Sequence, residues 1–430
     1  MRLPGRVSAA IEVLTEVLER HRPASEALKD WGKAHRFAGG GDRHSIGTLV
    51  YDALRRKASA AWRMESETPR ALVLATLATQ WNMSADAIAA LAGEEHGPAL
   101  LTAAERQALI RDDAAAPDWV KADVPQWLAP SYAMVFGPRL VAEGQALARR
   151  APIDLRVNRL KATRSQVLQA LQRFGAVEGP LSPDCVRIAA PGPEQRNINV
   201  EAEPAHGLGQ FEVQDAASQI AALMSGVRPG DTVADICAGA GGKTLALAAL
   251  MNNEGTLIAH DRDRHRLRPI FERITRAGAS CIEVVAPDAA AALNARRDFD
   301  CVLIDAPCSG SGSWRRKPDA KWKFSEKQLA IRVKEQREVL TRGAAMVRPG
   351  GTLVYITCSV LPQENQEQLA WFRQQAKDYA LVPSAEQWRK VLGTEPPKSA
   401  DGGTEGLLMS PATHDTDGFF VSVLRRAGKG

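Results

Sequence analysis

The chain has 430 residues, of which 45% are hydrophobic and 24% charged, with a formal net charge of +5. This length predicts two or three domains, and no apolar run reaches the roughly 18 residues of a membrane span. Since the first residues also lack the apolar block of a secretory signal, we expect a cytoplasmic protein, and the mild positive charge permits a nucleic-acid partner.

The first 125 residues have the pattern of an all-α domain. Val7, Ile11, Leu14 and Leu18 recur at helical spacing, and a second helix is indicated at 45–55. Two further helices are indicated at 72–81 and 85–91, and residues 39–42 are predicted to form a turn. Residues 114–124, rich in Ala, Asp and Pro, are interpreted as a linker.

Residues 126–205 predict a small α/β subdomain. The segment 153–158 alternates like a strand, 165–174 is amphipathic like a helix, and 186–188 is another short strand.

From residue 206 to residue 430 the pattern is that of an α/β domain. Short apolar strands separated by helices predict a parallel sheet that is covered on both faces. The predicted strands are 232–236, 256–260, 282–285, 301–305, 352–357 and 418–424.

A glycine-rich loop follows the first of these strands, from Cys237 to Thr244. Its glycines let the backbone approach a ligand, and the next helix offers free N–H groups, which suits a nucleotide-like molecule. Asp261 ends the second strand and could accept ribose hydroxyls, while Asp288 follows the third and could accept from an adenine amino group. These features alone leave a nicotinamide-dependent oxidoreductase open, although the loop has no clean GxGxxG.

Two of the six cysteines follow strand ends in the same half of the sheet. Cys308 comes after the fourth strand, and Cys358 after the fifth. Each sits in a small polar turn, where a thiol gains little burial, so both are expected to face the cleft. Cys281 and Cys301 fit buried structural roles better. No CxxC pair occurs, and we therefore expect no metal site.

The order of these motifs resembles the RsmB/NSUN family of RNA cytosine-5 methyltransferases. The matching stretches are 213–219, the loop 237–244, 305–310, 315–319, 357–359, 362–365 and 417–420. Residues 41–44 and 49–55 resemble, more loosely, the NusB-like RNA-binding domain of the bacterial RsmB branch, and 155–158 the RRM-like subdomain. The resemblance implies a Rossmann-like class I fold, S-adenosylmethionine as cofactor and 16S ribosomal RNA as substrate.

The resemblance also implies residue roles. Cys358 would be the nucleophile that adds to carbon 6 of cytosine, which makes carbon 5 able to attack a sulfonium methyl. Asp305 would bind the ring at nitrogen 3, and Cys308 would assist release of the methylated base. The implied cofactor residues are Cys237, Ala238, Gly239, Ala240, Gly241, Gly242, Lys243, Asp261, Arg266, Asp288 and Asp305. Ala240 replaces a proline that is usual in the family, which puts cofactor affinity in doubt more than activity.

The segment 314–324, just after Cys308, interleaves five cations with three aromatic residues. Cations suit phosphates and aromatic rings suit unstacked bases, so we expect RNA contacts there. The cations are Arg315, Arg316, Lys317, Lys321 and Lys323. The target cytosine would have to be extruded from any stack to reach Cys358.

Two other interpretations remain open. The chain could be a non-catalytic RNA-binding assembly factor on a decayed methyltransferase fold, although the retained Lys243, Asp305, Cys308 and Cys358 argue against decay. Transfer RNA is the alternative substrate, and a monomer is the expected state.

Overall fold

Helices alone build the N-terminal region in the computed structural model, which describes residues 1–192 and 198–428. The helices are α1 (Leu3–Leu18), α2 (Ala24–Ala34), α3 (Gly40–Arg55), α4 (Lys57–Met64), α5 (Pro69–Thr79), α6 (Ala85–Ala92) and α7 (Ala103–Leu109). Their apolar faces meet in one core that includes Leu14, Leu49 and Leu72. The predicted turn at 39–42 is wrong, because the Asp42 carboxylate accepts from the Gly39 N–H at 3.0 Å and helix α3 begins at Gly40.

The predicted linker at 114–124 is also wrong. This segment contains a short helix, and Val120, Ala122 and Val124 are buried. The helices that follow are α8 (Asp118–Lys121), α9 (Ala129–Phe136) and α10 (Leu140–Leu147), with short 3-10 turns at Gln126–Leu128 and Gly137–Arg139. Tyr132 and Leu140 share a hydrophobic core with the C-terminal sheet, so these helices pack on the C-terminal domain.

A four-stranded antiparallel sheet in the order β2-β3-β1-β4 forms the small subdomain. Its elements are β1 (Ile153–Val157), α11 (Arg164–Ala170), β2 (Val177–Glu178), β3 (Cys185–Ile188), α12 (Pro204–Gly207) and β4 (Phe211–Val213), with 3-10 turns at Gln172–Phe174 and Val200–Ala202. The predicted boundary at 205 falls too early, because β4 pairs with β1 through residues 211–213. Residues 193–197 of the predicted subdomain lie outside the described residues.

The C-terminal domain contains an eight-stranded sheet, and helices alternate with its strands along the chain. The strands are β5 (Thr232–Asp235), β6 (Thr256–His260), β7 (Ile282–Val285), β8 (Phe299–Asp305), β9 (Val347–Thr357), β10 (Tyr379–Val382), β11 (Leu407–Met409) and β12 (Phe419–Arg426). The α-helices are α13 (Ala216–Leu223), α14 (Gly242–Leu250), α15 (Arg264–Leu267), α16 (Ile270–Ala277), α17 (Ala290–Ala295), α18 (Pro318–Lys323), α19 (Glu326–Met346), α20 (Gln366–Gln375), α21 (Ser384–Leu392) and α22 (Pro411–His414). Three 3-10 turns lie at Pro287–Ala289, Ser311–Ser313 and Pro362–Glu364.

The strand order is β10-β12-β9-β8-β5-β6-β7, with β11 paired to β12. Strands β5 to β9 pair in parallel, whereas β12 is antiparallel to β9, β10 and β11. The order reverses direction at β5, and the carboxyl ends of β5, β6, β8 and β9 meet at one edge, where α/β sheets bind ligands. Residues 429–430 of the predicted domain lie outside the described residues. None of the helices in the described ranges is long and apolar enough to span a bilayer.

Candidate active site

The glycine-rich loop after β5 forms an open cradle, and side chains in place of its glycines would fill that space. Gly239 has φ +52° and Gly241 has φ +84°, both in the left-handed region that favours glycine. A Cβ on Gly241 would lie 2.5 Å from Cγ1 of Ile270, so the turn requires glycine for space as well as for conformation. The loop delivers its backbone directly to the start of α14.

Two arginines contact this loop from outside, and no role at the loop was predicted for either. Arg156 on β1 donates to the Gly242 carbonyl at 2.6 Å, and Arg273 on α16 donates to the Ala240 carbonyl at 2.8 Å. Glu212 on β4 binds Arg273 at 2.8 Å. The subdomain sheet therefore fixes the loop in which Ala240 replaces the usual proline of the resembled family.

A cavity of about 190 Å³ opens beside the loop. Its lining is Ile236, Cys237, Asp261, Arg262, Arg266, Pro307, Glu338, Val339 and Arg342. Asp261 is buried, and its carboxylate accepts the Gly239 N–H at 2.9 Å while Arg266 lies 3.7 Å away. The cradle, the cavity and this carboxylate fit a nucleoside-type cofactor. Pro307, Glu338 and Arg342 come from distant segments and were not predicted.

Asp288 lies apart from that cavity lining. Its side chain is 73% exposed and pairs with Arg264 at 3.2 Å, in the 3-10 turn that follows β7. The predicted contact with adenine stays a prediction, since Asp288 is not among the residues that line the cavity.

Lys243 and Asp305 join the cofactor loop to the reactive strand ends. The Lys243 ammonium, at the start of α14, lies 2.7 Å from Oδ2 of Asp305, at the end of β8. The same ammonium lies 5.0 Å from the centroid of the Phe419 ring. Behind it, burial raises the pKa of Asp235 to about 7, and Thr244 donates a hydrogen bond to that carboxylate at 2.7 Å.

The two predicted cysteines lie side by side, with their Sγ atoms 3.4 Å apart. A hydrogen bond from the Cys308 thiol lowers the pKa of Cys358, and the nearby Lys243 ammonium acts in the same direction. The same hydrogen bond, together with burial, holds the pKa of Cys308 well above its usual value. Of the two thiols, Cys358 is therefore the one that loses its proton more readily. Both side chains are only partly buried, so a ligand in the cleft can reach them.

A buried carboxylate from the family-like stretch 362–365, for which no role was predicted, supports the Cys308 turn. Glu364 is fully buried and accepts the Ser309 N–H at 2.7 Å, and it also accepts from the Ser309 hydroxyl. Gln336 donates to it at 3.1 Å and to the Pro307 carbonyl at 2.9 Å. Burial raises the pKa of Glu364, and its charge contributes to raising the pKa of Cys308.

Part of the predicted RNA-binding segment is packed between domains. Arg315 is buried against Asp417 and Asp215, and Lys321 is buried and donates to the carbonyls of Arg55 and Asp123 at 3.0 and 2.7 Å. RNA contact by these two cations is therefore a wrong prediction, because both side chains are buried between the domains and cannot reach a ligand in the cleft.

Of the other residues in this segment, some contact the N-terminal helices and some are exposed to solvent. Trp322 donates to the Leu54 carbonyl, and Lys323 donates to the Arg22 carbonyl at 2.7 Å, so both bind the N-terminal helices. Lys323 is only partly buried, and RNA contact by its ammonium stays a prediction. Lys317 is exposed, whereas the exposed Arg316 pairs with Asp215 and Asp417, and RNA contact remains a prediction for both cations.

The sheet order, the glycine cradle at the end of β5 and the acidic residue at the end of β6 define a class I S-adenosylmethionine-dependent methyltransferase. The comparisons with known proteins identify its family. The 16S rRNA methyltransferase RsmB/F family matches residues 222–425, and the ferredoxin-like domain of RsmF/B-like methyltransferases matches residues 124–195. The chain belongs to the RsmB/F methyltransferase family.

Its relatives include a probable ribosomal RNA small subunit methyltransferase B of Synechocystis, 31% identical over 70% of this chain and 67% of the relative. The ribosomal RNA small subunit methyltransferase B of an Enterobacter strain is 33% identical over 70% of this chain and 66% of the relative. The matches thus span about two thirds of the relatives' length.

Solved structures share the fold. NSun6 from Pyrococcus horikoshii, crystallised with the S-adenosylmethionine analogue SFG, covers 71% of this chain and 99% of its own at 20% identity and a TM-score of 0.62. A methyltransferase homologue from the same organism covers 72% of this chain and 97% of its own at 26% identity and a TM-score of 0.58. Another crystal structure covers 99% of both chains at 24% identity with a TM-score of 0.76.

Proposed function

We propose that this enzyme methylates carbon 5 of a cytosine in small-subunit ribosomal RNA, through a covalent bond between Cys358 and carbon 6 of the base. The observation that carries the proposal is the pair of thiols 3.4 Å apart, in which Cys358 is the more acidic. The names of the relatives support the RNA class. We expect the protein to act as a cytoplasmic monomer.

Attack begins at Cys358. Its thiolate forms a bond to carbon 6, and the ring electrons shift so that carbon 5 becomes nucleophilic. Asp305 is positioned at the end of β8 to hold the ring edge at nitrogen 3, and Lys243 fixes the carboxylate at 2.7 Å. The glycine loop, Asp261 and Arg266 would hold S-adenosylmethionine, which when bound would supply an electrophilic methyl group for carbon 5.

Release then requires loss of the carbon 5 proton. Once Cys358 is bonded to carbon its negative charge is gone, and with it the charge that holds the Cys308 pKa high. Cys308 can therefore release its own proton to solvent and, as a thiolate, accept the one on carbon 5. The electrons of the broken C–H bond reform the ring double bond and expel Cys358 as a thiolate, which restores the starting state of the pair.

The test is product analysis after reaction with small-subunit ribosomal RNA that lacks modification. The wild-type protein should convert cytidine to 5-methylcytidine in digested RNA, and Cys358→Ser should produce none. A methyl group on another atom would overturn the chemistry, and 5-methylcytidine formed in transfer RNA but not in ribosomal RNA would overturn the substrate. RNA binding without methyl transfer would favour an assembly factor.

A further inference from the structure

A cleft of about 180 Å³ lies where the N-terminal helices, the segment after Cys308 and the entry to the small subdomain meet. Its lining is Asp52, Arg55, Arg56, Gln80, Ala148, Arg149 and Arg150. We propose that this arginine cleft binds a backbone phosphate of the substrate RNA. The inference rests on the proposed function for the class of ligand.

The cleft lining carries more positive than negative charge, with four arginines and one aspartate. Asp52 pairs with both Arg55, at 3.1 Å, and Arg150, and Arg56 pairs with Asp123 at 3.3 Å. The burial of Arg55 and the nearby positive charge of Arg150 lower the pKa of Arg55. An anion would relieve this repulsion between cations.

Two arginines keep donors free for such an anion. Arg149 is exposed, and its side chain makes no hydrogen bond or ion pair within residues 1–192 and 198–428. The Nε atom of Arg56 is buried and has no partner among the described residues. Planar guanidinium groups match the oxygens of a phosphate in a bidentate way, so arginine is the side chain that this ligand prefers.

The cleft is connected to the catalytic turn by further cations. Arg55 Nε donates to the Arg315 carbonyl at 3.1 Å, and the guanidinium of Arg316 donates to the Pro152 carbonyl at 3.1 Å, two residues after Arg150. Exposed Lys317 follows these two arginines in the segment after the Cys308 turn. The guanidinium of Arg316 itself pairs with Asp215 and Asp417. An RNA strand that follows this segment away from the Cys308 turn would bring a flanking phosphate to the cleft.

The test is the salt dependence of binding to a small-subunit ribosomal RNA fragment, measured as the dissociation constant over a series of KCl concentrations. Arg149→Gln should weaken binding and reduce the slope of log Kd against log salt by about 0.7 to 0.9, the value for one phosphate contact. Arg149→Lys should restore much of the slope. Arg425→Gln is the matched control, because this exposed arginine lies on β12, in register with Thr352 of β9, and is not part of the cleft lining.

An unchanged slope for Arg149→Gln, equal to that of wild type and of Arg425→Gln, would overturn the phosphate site. The measurement does not depend on methyl transfer. A reduced slope in a protein that makes no 5-methylcytidine would support the cleft while contradicting the proposed function, and normal methylation with an unchanged slope would do the reverse.

Discussion

The ammonium of Lys243 lies 2.7 Å from the carboxylate of Asp305, so the first residues of the cofactor helix are tied to the strand that ends at the reactive thiols. The pair is placed so that its cation lowers the pKa of Cys358 and its anion raises it. Cofactor loop and nucleophile are thus coupled through one ion pair. Because these two charges act in opposite directions, the pKa of Cys358 depends mainly on the Cys308 thiol, which donates a hydrogen bond to it.

Cys308→Ala should raise the pKa of Cys358, because the thiol that stabilises the Cys358 thiolate is removed. Alkylation by iodoacetamide, followed by mass spectrometry of the Cys358 peptide over a range of pH, measures this shift. In wild type, Cys358 should react at lower pH than Cys308. Cys281→Ala, at a half-buried thiol elsewhere in the fold, should leave the Cys358 profile unchanged. Equal profiles for Cys308→Ala and wild type would contradict the assigned direction of the hydrogen bond.

Glu364→Gln should lower the pH at which both thiols are alkylated. The carboxylate charge raises the pKa of Cys308 and of Cys358, and glutamine removes that charge while keeping an oxygen that can accept from Ser309. The same alkylation series provides the readout. If Glu364→Gln makes the two cysteines react equally but leaves the pH dependence of their alkylation unchanged, Glu364 has a purely structural role.

Gly241→Ala should destabilise the fold and raise the KM for S-adenosylmethionine. The left-handed backbone costs an alanine about 1 to 2 kcal/mol, and its Cβ would also collide with Ile270. Gly393→Ala is the control, since φ there is +67° but nothing lies within 4 Å of the added Cβ. Urea unfolding and cofactor titration measure both effects. If the two variants lose equal stability and neither alters the KM, the cradle is not a cofactor site.

Lys321→Met should abolish part of the pH dependence of stability. Burial lowers the pKa of Lys321 to about 7 in the folded protein, against 10.5 as the ordinary value. Between these values the unfolded chain binds one more proton, so stability should rise with pH from about 7 to about 10 in wild type. The free energy of unfolding in urea should lose this rise in Lys321→Met and keep it in the exposed control Lys377→Met. An identical rise in all three proteins would show that Lys321 is not the source.

Much of the fold could be predicted, because it depends on local patterns. The apolar strands predicted at 232–236 and 301–305, with helices between them, indicated the parallel sheet, and the structure has them at Thr232–Asp235 and Phe299–Asp305. The placement of Cys308 and Cys358 after neighbouring strand ends indicated that both lie in one cleft, and the structure brings them to 3.4 Å. Short strands such as β4 and β11, at three residues each, carry too little pattern to be recognised.

The part that could not be predicted depends on contacts between distant segments. Lys321 looked like an RNA-binding cation, but its donors bind the Arg55 carbonyl, 266 residues away in the chain. Arg156 and Glu364 act on the cofactor loop and on the Cys308 turn through tertiary hydrogen bonds that no local spacing shows. Charge and composition describe what a side chain is able to bind, and only the packing decides what it does bind.

The most direct test of the central claim is covalent trapping on RNA. Cys308→Ser protein, incubated with S-adenosylmethionine and unmodified small-subunit ribosomal RNA, should form a protein–RNA complex that survives denaturation, because release of the methylated base is blocked while Cys358 can still attack. The complex should be absent from the Cys308→Ser/Cys358→Ser double variant. A complex that persists without Cys358 would contradict the assignment of the nucleophile, and no complex from a Cys308→Ser protein that still binds the RNA would contradict the covalent mechanism.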